Sequence, residues 1–97
     1  MNIGDGVTSI GEVAFDRCHA LTEVTLGDSV TSIGDSAFRY CSINVLYCYA
    51  TKPPTINNTV FGDGIESGAT LYVPARCGVI YKASDWGNYF DNIIEMD

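Results

Sequence analysis

The feature that most constrains this chain is internal repetition. Residues 3–25 read IGDGVTSIGEVAFDRCHALTEVT and residues 26–48 read LGDSVTSIGDSAFRYCSINVLYC. Aligned without gaps, ten of the twenty-three positions are identical: Gly4/Gly27, Asp5/Asp28, Val7/Val30, Thr8/Thr31, Ser9/Ser32, Ile10/Ile33, Gly11/Gly34, Ala14/Ala37, Phe15/Phe38 and Cys18/Cys41. Average residue usage would give about one or two such matches. A repeat of this length is too short for a pair of helices, so each copy has to be one turn of something that stacks on its neighbour. Val7-Thr8-Ser9-Ile10 and Val30-Thr31-Ser32-Ile33 are β-branched and read as extended. Leu21, Val24 and Leu26 follow an L-x-x-V-x-L spacing whose last part alternates as a strand does. With one residue fewer after the cysteine, Ile43, Leu46 and Cys48 fall on the same three positions. Gly11 and Gly34 open short turns, helical or 3₁₀, that turn Ala and Phe toward the core.

The string V-T-S-I-G-x-x-A-F-x-x-C, intact in both copies, resembles the BspA-like (treponemal-type) class of leucine-rich repeat, and the period lies within the range of leucine-rich solenoids. The stretch Tyr47-Cys48-Tyr49-Ala50-Thr51-Lys52-Pro53-Pro54, then Thr70-Leu71-Tyr72-Val73-Pro74 and the closing Tyr81, Trp86, Phe90 and Ile93 resemble the C-terminal end of such arrays. The resemblance implies a mostly β fold with short helical turns: a right-handed solenoid of short stacked strands capped by a short C-terminal helix. It also implies a piece of a longer bacterial cell-surface or secreted protein, since such families run to many repeats and two stand here.

Pro53-Pro54 ends the repeat pattern, because neither residue donates to a ladder. Residues 49–69, rich in Gly, Asn and Thr, read as a connecting loop with Val60-Phe61 as its anchor. Residues 70–97 read as a strand–helix cap. Within it, 70–73 is a strand, and Cys77, Ile80 and Tyr81 lie on one face of a short helix. Trp86, Tyr89 and Phe90 repeat that spacing, and Ile93 and Ile94 lead a last extended segment. A stack of coils exposes an apolar end, and this cap covers one of them. The N-terminal edge has no such cover, which leaves it open to self-association.

Charge excludes some partners. Twelve acidic residues against five basic ones give a net charge of −7, which disfavours nucleic acid and anionic membrane surfaces. Met1-Asn2-Ile3-Gly4-Asp5 has neither the basic start nor the apolar run of a signal peptide, and no run of about 18 apolar residues suits a membrane span. Four cysteines suggest disulfides, but Cys18 and Cys41 occupy one repeat position. They are expected to stack about 4.8 Å apart as a ladder of buried thiols, a spacing a disulfide would also tolerate. Cys48 and Cys77 read as core positions, and no C-x-x-C supports zinc. His19 stands where the second copy has Ser42, and so reads as a tolerant exposed site. Nothing in the chain matches a nucleophile elbow, a metalloprotease helix or a phosphate loop. Asp5, Glu12, Asp28 and Asp35 recur with the period as solvated rows of like charge.

If Leu21, Val24 and Leu26 point inward, Thr22, Glu23 and Thr25 point outward, and the next coil exposes Asn44, Val45, Tyr47 and Tyr49. Tyr72 projects the same way. Tyrosines gathered on one sheet face suit recognition of a protein or glycan, through large rigid rings with a polar tip. The competing expectation is that they pack under the 55–69 loop. The expected function is therefore a non-catalytic binding module without cofactor or metal. Its ligand would be a protein or glycan on host or neighbouring cells, on the surface Thr22, Glu23, Thr25, Asn44, Tyr47, Tyr49 and Tyr72. The alternative is a purely structural terminal cap or spacer.

Overall fold

In a computed structural model describing residues 1–96, the repeat sets the sheet. Seven strands form: β1 (Asn2–Ile3), β2 (Ser9–Ile10), β3 (Glu23–Leu26), β4 (Ser32–Ile33), β5 (Ile43–Cys48), β6 (Ile65–Val73) and β7 (Asn92–Glu95). A five-stranded parallel sheet runs β1-β3-β5-β6-β7, and β2-β4 form a second parallel ladder. Parallel neighbours need a crossover between them, and each 23-residue copy supplies one. Ser9 pairs with Ser32 and Ile10 with Ile33, so identical residues lie on identical residues. Val24 pairs with Leu46 and Leu26 with Cys48, which confirms the one-residue contraction expected in the second copy.

Residues 49–69 are not merely a connecting loop. They begin a third coil in step with the first two. Thr55 bridges to Ser32, the Ile33 N–H donates to the Thr55 carbonyl at 3.0 Å, and the Phe38 N–H donates to the Val60 carbonyl at 2.8 Å. Ile56, Val60 and Phe61 thus stand one period beyond Ile33, Ala37 and Phe38, and all six are buried. The strand expected at 70–73 starts earlier, at Ile65. One residue separates Ile43 from Val45 but four separate their partners Ile65 and Thr70, so β6 carries three extra residues as a bulge. Gly68 sits in that bulge at φ +81°, where an L side chain is strained.

The glycine-led segments after β2 and β4 are hydrogen-bonded turns rather than helices. Each bends through two left-handed residues, Val13 and Arg17 in the first copy and Ser36 and Tyr40 in the second, with φ between 50° and 64°. Val13 is a β-branched residue at φ 50° and is 55% exposed, so it carries backbone strain without packing in return. Val13→Asn is expected to raise stability by about 1 kcal/mol, since Asn tolerates this region and no burial is lost; a urea melt checks it.

The core is a stack of side chains from successive coils. Phe15, Phe38 and Phe61 form a column of stacked rings, with centroids 5.4 Å and 5.9 Å apart. The column ends on Trp86, Tyr89 and Phe90, whose rings meet Phe61 at 5.4, 5.6 and 5.8 Å. The cap that brings them there is more than one helix: α1 (Gly78–Ala83), a 3₁₀ turn (Asp85–Asn88) holding Trp86, and β7. Within α1 only Tyr81 and Gly78 are buried. Ile80, expected on the inner face, is 51% exposed, because one short turn can aim only one large side chain inward.

The candidate binding face and the chemistry of the core

Register decides which side chains reach the outer face of the main sheet. Across it, Asn2 lies beside Thr25, Thr25 beside Tyr47, Tyr47 beside Tyr72 and Tyr72 beside Ile94. A second row runs Glu23, Val45, Thr70 and Asn92. Along each strand these positions alternate with fully buried ones: Val24, Leu26, Leu46, Cys48, Leu71 and Val73. Of the residues expected to face a ligand, Thr22, Glu23, Asn44 and Tyr49 are exposed and Thr25, Tyr47 and Tyr72 half-buried.

Tyr47 and Tyr72 stack, with centroids 4.8 Å apart and planes 14° from parallel. They do not pack under the 55–69 segment. Residues 55–61 lie instead along β4 and the turn that follows it. In-register parallel neighbours stand about 4.8 Å apart, so two tyrosines at one register position have little choice but to stack. Tyr49, just past β5, is 48% exposed and its N–H donates to the Leu26 carbonyl. Ile94, at the far end of the row, is 46% exposed. The face is thus a strip of aromatic and aliphatic surface flanked by Thr, Asn and Glu side chains.

The cysteines are all free thiols. The expected ladder of buried thiols fails at its first rung: Cys41 is buried, whereas Cys18 is exposed, since no coil among the described residues stacks on that side of the first copy. The buried thiols act as small hydrogen-bonding plugs. Cys41 Sγ donates to the Phe15 carbonyl at 3.1 Å, and Cys77 Sγ lies 3.6 Å from the Thr51 carbonyl. The Tyr81 hydroxyl donates to the Ala50 carbonyl at 2.7 Å, so in its 3.2 Å contact with Cys48 Sγ the thiol is the donor. Burial pushes the Cys41 and Cys48 thiols up, and the Tyr81 phenol far up. These groups stay protonated, which suits structural plugs and not nucleophiles.

His19 is exposed, as expected from its tolerant repeat position. Of the recurring acids, Asp35 accepts a hydrogen bond from the Asn57 side chain, which ties the turn of the second copy to the third. A charge pair that sequence reasoning missed lies at a non-identical repeat position. Arg39 Nε and Nη2 donate to the two carboxylate oxygens of Asp16 at 3.1 and 3.0 Å. Residues 16 and 39 are one period apart, so opposite charges replace identity where identity would repel. The Arg17 and Arg39 guanidinium groups also lie 5.2 and 5.1 Å from the Tyr40 ring centre. Arg39 holds the Asp16 carboxyl below its ordinary range. A depressed carboxylate pKa stabilises the fold above the ordinary aspartate value and loses that effect as pH falls through the lower folded value. Asp16→Asn is accordingly expected to flatten part of the acid limb of the stability–pH curve, measured by urea melts below neutrality, with little change in slope above it.

The geometry defines a repeat protein: stacked coils of one period and a parallel sheet with a broad outward face. A family model described as the BspA type leucine rich repeat region (6 copies) matches residues 1–75, and the chain belongs to that family. The match takes in the third coil as well as the first two copies. None of the curated proteins matches the chain. Families of this type are generally non-enzymatic binding repeats with a protein-interaction role, typically surface or secreted. No helix among the described residues is long and apolar enough to cross a membrane.

Proposed function

We propose that the chain is a binding module of a bacterial cell-surface or secreted leucine-rich-repeat protein, and that its outer sheet face takes part in adhesion to a protein or glycan. In this reading the coils form a right-handed solenoid, closed at one end by the cap and presenting Thr25, Tyr47, Tyr72 and Ile94 as a continuous row. The observation that carries the reading is the stacked Tyr47–Tyr72 pair on an outward face, beside the exposed Tyr49. Two rings locked against each other lose little further entropy on binding, and each offers an apolar edge with a hydroxyl tip. Broad, shallow contact of this kind suits a macromolecule better than a small substrate.

The test is binding of the chain to a glycan array and to a panel of extracellular host proteins. Tyr47→Ala/Tyr72→Ala is expected to lower binding at least tenfold (about 1.4 kcal/mol or more) while leaving the far-ultraviolet circular dichroism unchanged. Retention of full binding by that variant and by Tyr49→Ala would remove the face from consideration. A second, purely structural reading has one observation in its favour: the aromatic cap over Phe61 shuts the array at that end. A terminator or spacer would keep its stability in the tyrosine variants and show no ligand in either assay.

A further inference from the structure

Two hollows flank the Pro53-Pro54 segment, beside the β2-β4 ladder and apart from the main sheet. One, of about 380 Å³, is lined by Thr31, Ser32, Lys52, Pro53 and Thr55. The other, of about 300 Å³, lies between the third coil and the cap, with Pro54, Thr55 and Ile56 on one side and Ser84, Asp85 and Trp86 on the other. Both hollows include Pro53 and Thr55, so together they form one saddle over the proline. The prolines explain the opening. Between the first two coils, the Thr31 and Gly34 N–H groups donate to the Thr8 and Ile10 carbonyls. One period on, Pro54 has no N–H to give, and the Asn57 N–H reaches no carbonyl among the described residues. Only the Ser32–Thr55 bridge remains, and the third coil parts from the second around it.

The saddle gathers polar groups that the chain leaves unused. The Thr55 N–H donates to the Thr31 carbonyl and the Thr55 carbonyl accepts from Ile33, so both point toward β4. In an extended segment the neighbouring residues turn their backbone groups the other way. The Pro54 carbonyl does so, accepting from the Trp86 indole at 2.9 Å. The Ile56 N–H faces the same side, into the cap-side hollow, and has no partner among the described residues although Ile56 is buried. A buried N–H in this state calls for an acceptor from outside the chain. The side chains of Asp85, Lys52, Ser32 and Thr55 likewise make no hydrogen bond or ion pair among the described residues. The Ser84 hydroxyl donates to the Tyr81 carbonyl and accepts from the Trp86 N–H, which leaves it one lone pair.

We propose that the saddle holds an acidic disaccharide unit of a glycan, with neighbouring hydroxyls of one sugar on the Asp85 carboxylate and the Ile56 N–H, and the carboxylate of the other sugar on Lys52. A carboxylate accepts from adjacent hydroxyls while an N–H donates to a ring or hydroxyl oxygen, which matches the mixed donor and acceptor edge of a pyranose. Both hollows fall at the small end of the range for small-molecule sites, about 300–1,000 Å³, which suits one sugar ring in each. The opposite charges of Lys52 and Asp85 fix the order of the two sugars. A peptide fits less well. Strand addition needs a run of free backbone groups along an edge, and here the Trp86 indole already takes the Pro54 carbonyl beside the free N–H. The saddle is separate from the Tyr47–Tyr72 face, so either site can fail without the other.

The test follows backbone-amide and indole resonances of the isotope-labelled chain during titration with digalacturonic acid and, separately, with sialyllactose. Saturable shifts of the Ile56 amide and the Trp86 indole are expected with at least one of them. Asp85→Asn and Lys52→Met, both at exposed side chains, are each expected to weaken that binding at least tenfold, while Asp5→Asn in the first coil leaves it unchanged. An Ile56 amide unmoved by either sugar would overturn the proposal. So would equal affinity for the neutral counterparts, the dimethyl ester of digalacturonic acid and lactose, since these keep the hydroxyls and lose the charge. Trialanine is the last arm: a larger shift at Ile56 than either sugar gives would assign the saddle to a peptide instead.

Discussion

Trp86→Ala should cost about 3–5 kcal/mol and lower the melting temperature by roughly 15–30 °C, the largest single effect expected in this chain. Trp86 is fully buried and meets three rings, Phe61 at 5.4 Å, Tyr81 at 5.9 Å and Phe90 at 6.3 Å. Its indole N–H donates to the Pro54 carbonyl at 2.9 Å. Truncation opens a cavity between the third coil and the cap and leaves that carbonyl without its buried donor. Trp86→Phe separates the two contributions, since it keeps most of the packing and removes the donor. It should fall between wild type and Trp86→Ala in a thermal melt. An alanine variant as stable as wild type would show that the cap does not close the stack. The total stability of a domain of this size is about 5–15 kcal/mol, so this one residue decides whether much of the population is folded.

Phe38→Ala should come close behind, at about 3–5 kcal/mol. Phe38 is fully buried at the middle of the phenylalanine column, stacked on Phe15 on one side and Phe61 on the other. The same substitution at Phe15 should cost clearly less, because that ring is half-exposed and stacks on one side only. The comparison of Phe15→Ala with Phe38→Ala in chemical denaturation is the informative measurement. Equal losses would mean that position in the stack does not set the energy. Gly64 offers a check on the same region from the backbone. A Cβ there would clash with the Phe38 carbonyl oxygen and lie 2.7 Å from that of Phe61, both backbone atoms.

Much of this architecture is legible in the sequence because parallel stacking turns sequence identity into spatial adjacency. Ser9 over Ser32 and Ile10 over Ile33 follow from the period alone, and so does Val24 over Leu46 once the single contraction is noticed. The third coil was hidden by two departures. Pro53 and Pro54 stand where the second copy has Val30 and Thr31, and three extra residues interrupt β6. Its signal was nevertheless present at the core positions, in Ile56, Val60 and Phe61, each one period beyond a buried residue. Outward positions of the candidate face were readable for the same reason as the core ones, since a strand alternates. What the sequence could not supply was end effects. Cys18 and Cys41 share a repeat position and a residue type, yet one is exposed and the other buried, because burial depends on a neighbour and not on the residue. The Asp16–Arg39 pair was illegible for the opposite reason: a search for identity passes over positions where complementarity is the selected relation.

Each coil of this chain touches chiefly the coils before and after it, one period away along the sequence. Folding can therefore begin at the aromatic junction of third coil and cap and spread backward one coil at a time, with each closure spanning a similar, modest loop. Protection of backbone amides against exchange should then grade along the chain. It would be lowest around Val13 and Arg17, which have a neighbour on one side only, and highest from Phe38 to Leu71. The open end thus ties conformational opening to occupancy. While the first coil stands uncovered it is the segment that frays, and anything seated upon it would quiet motion in residues it never touches.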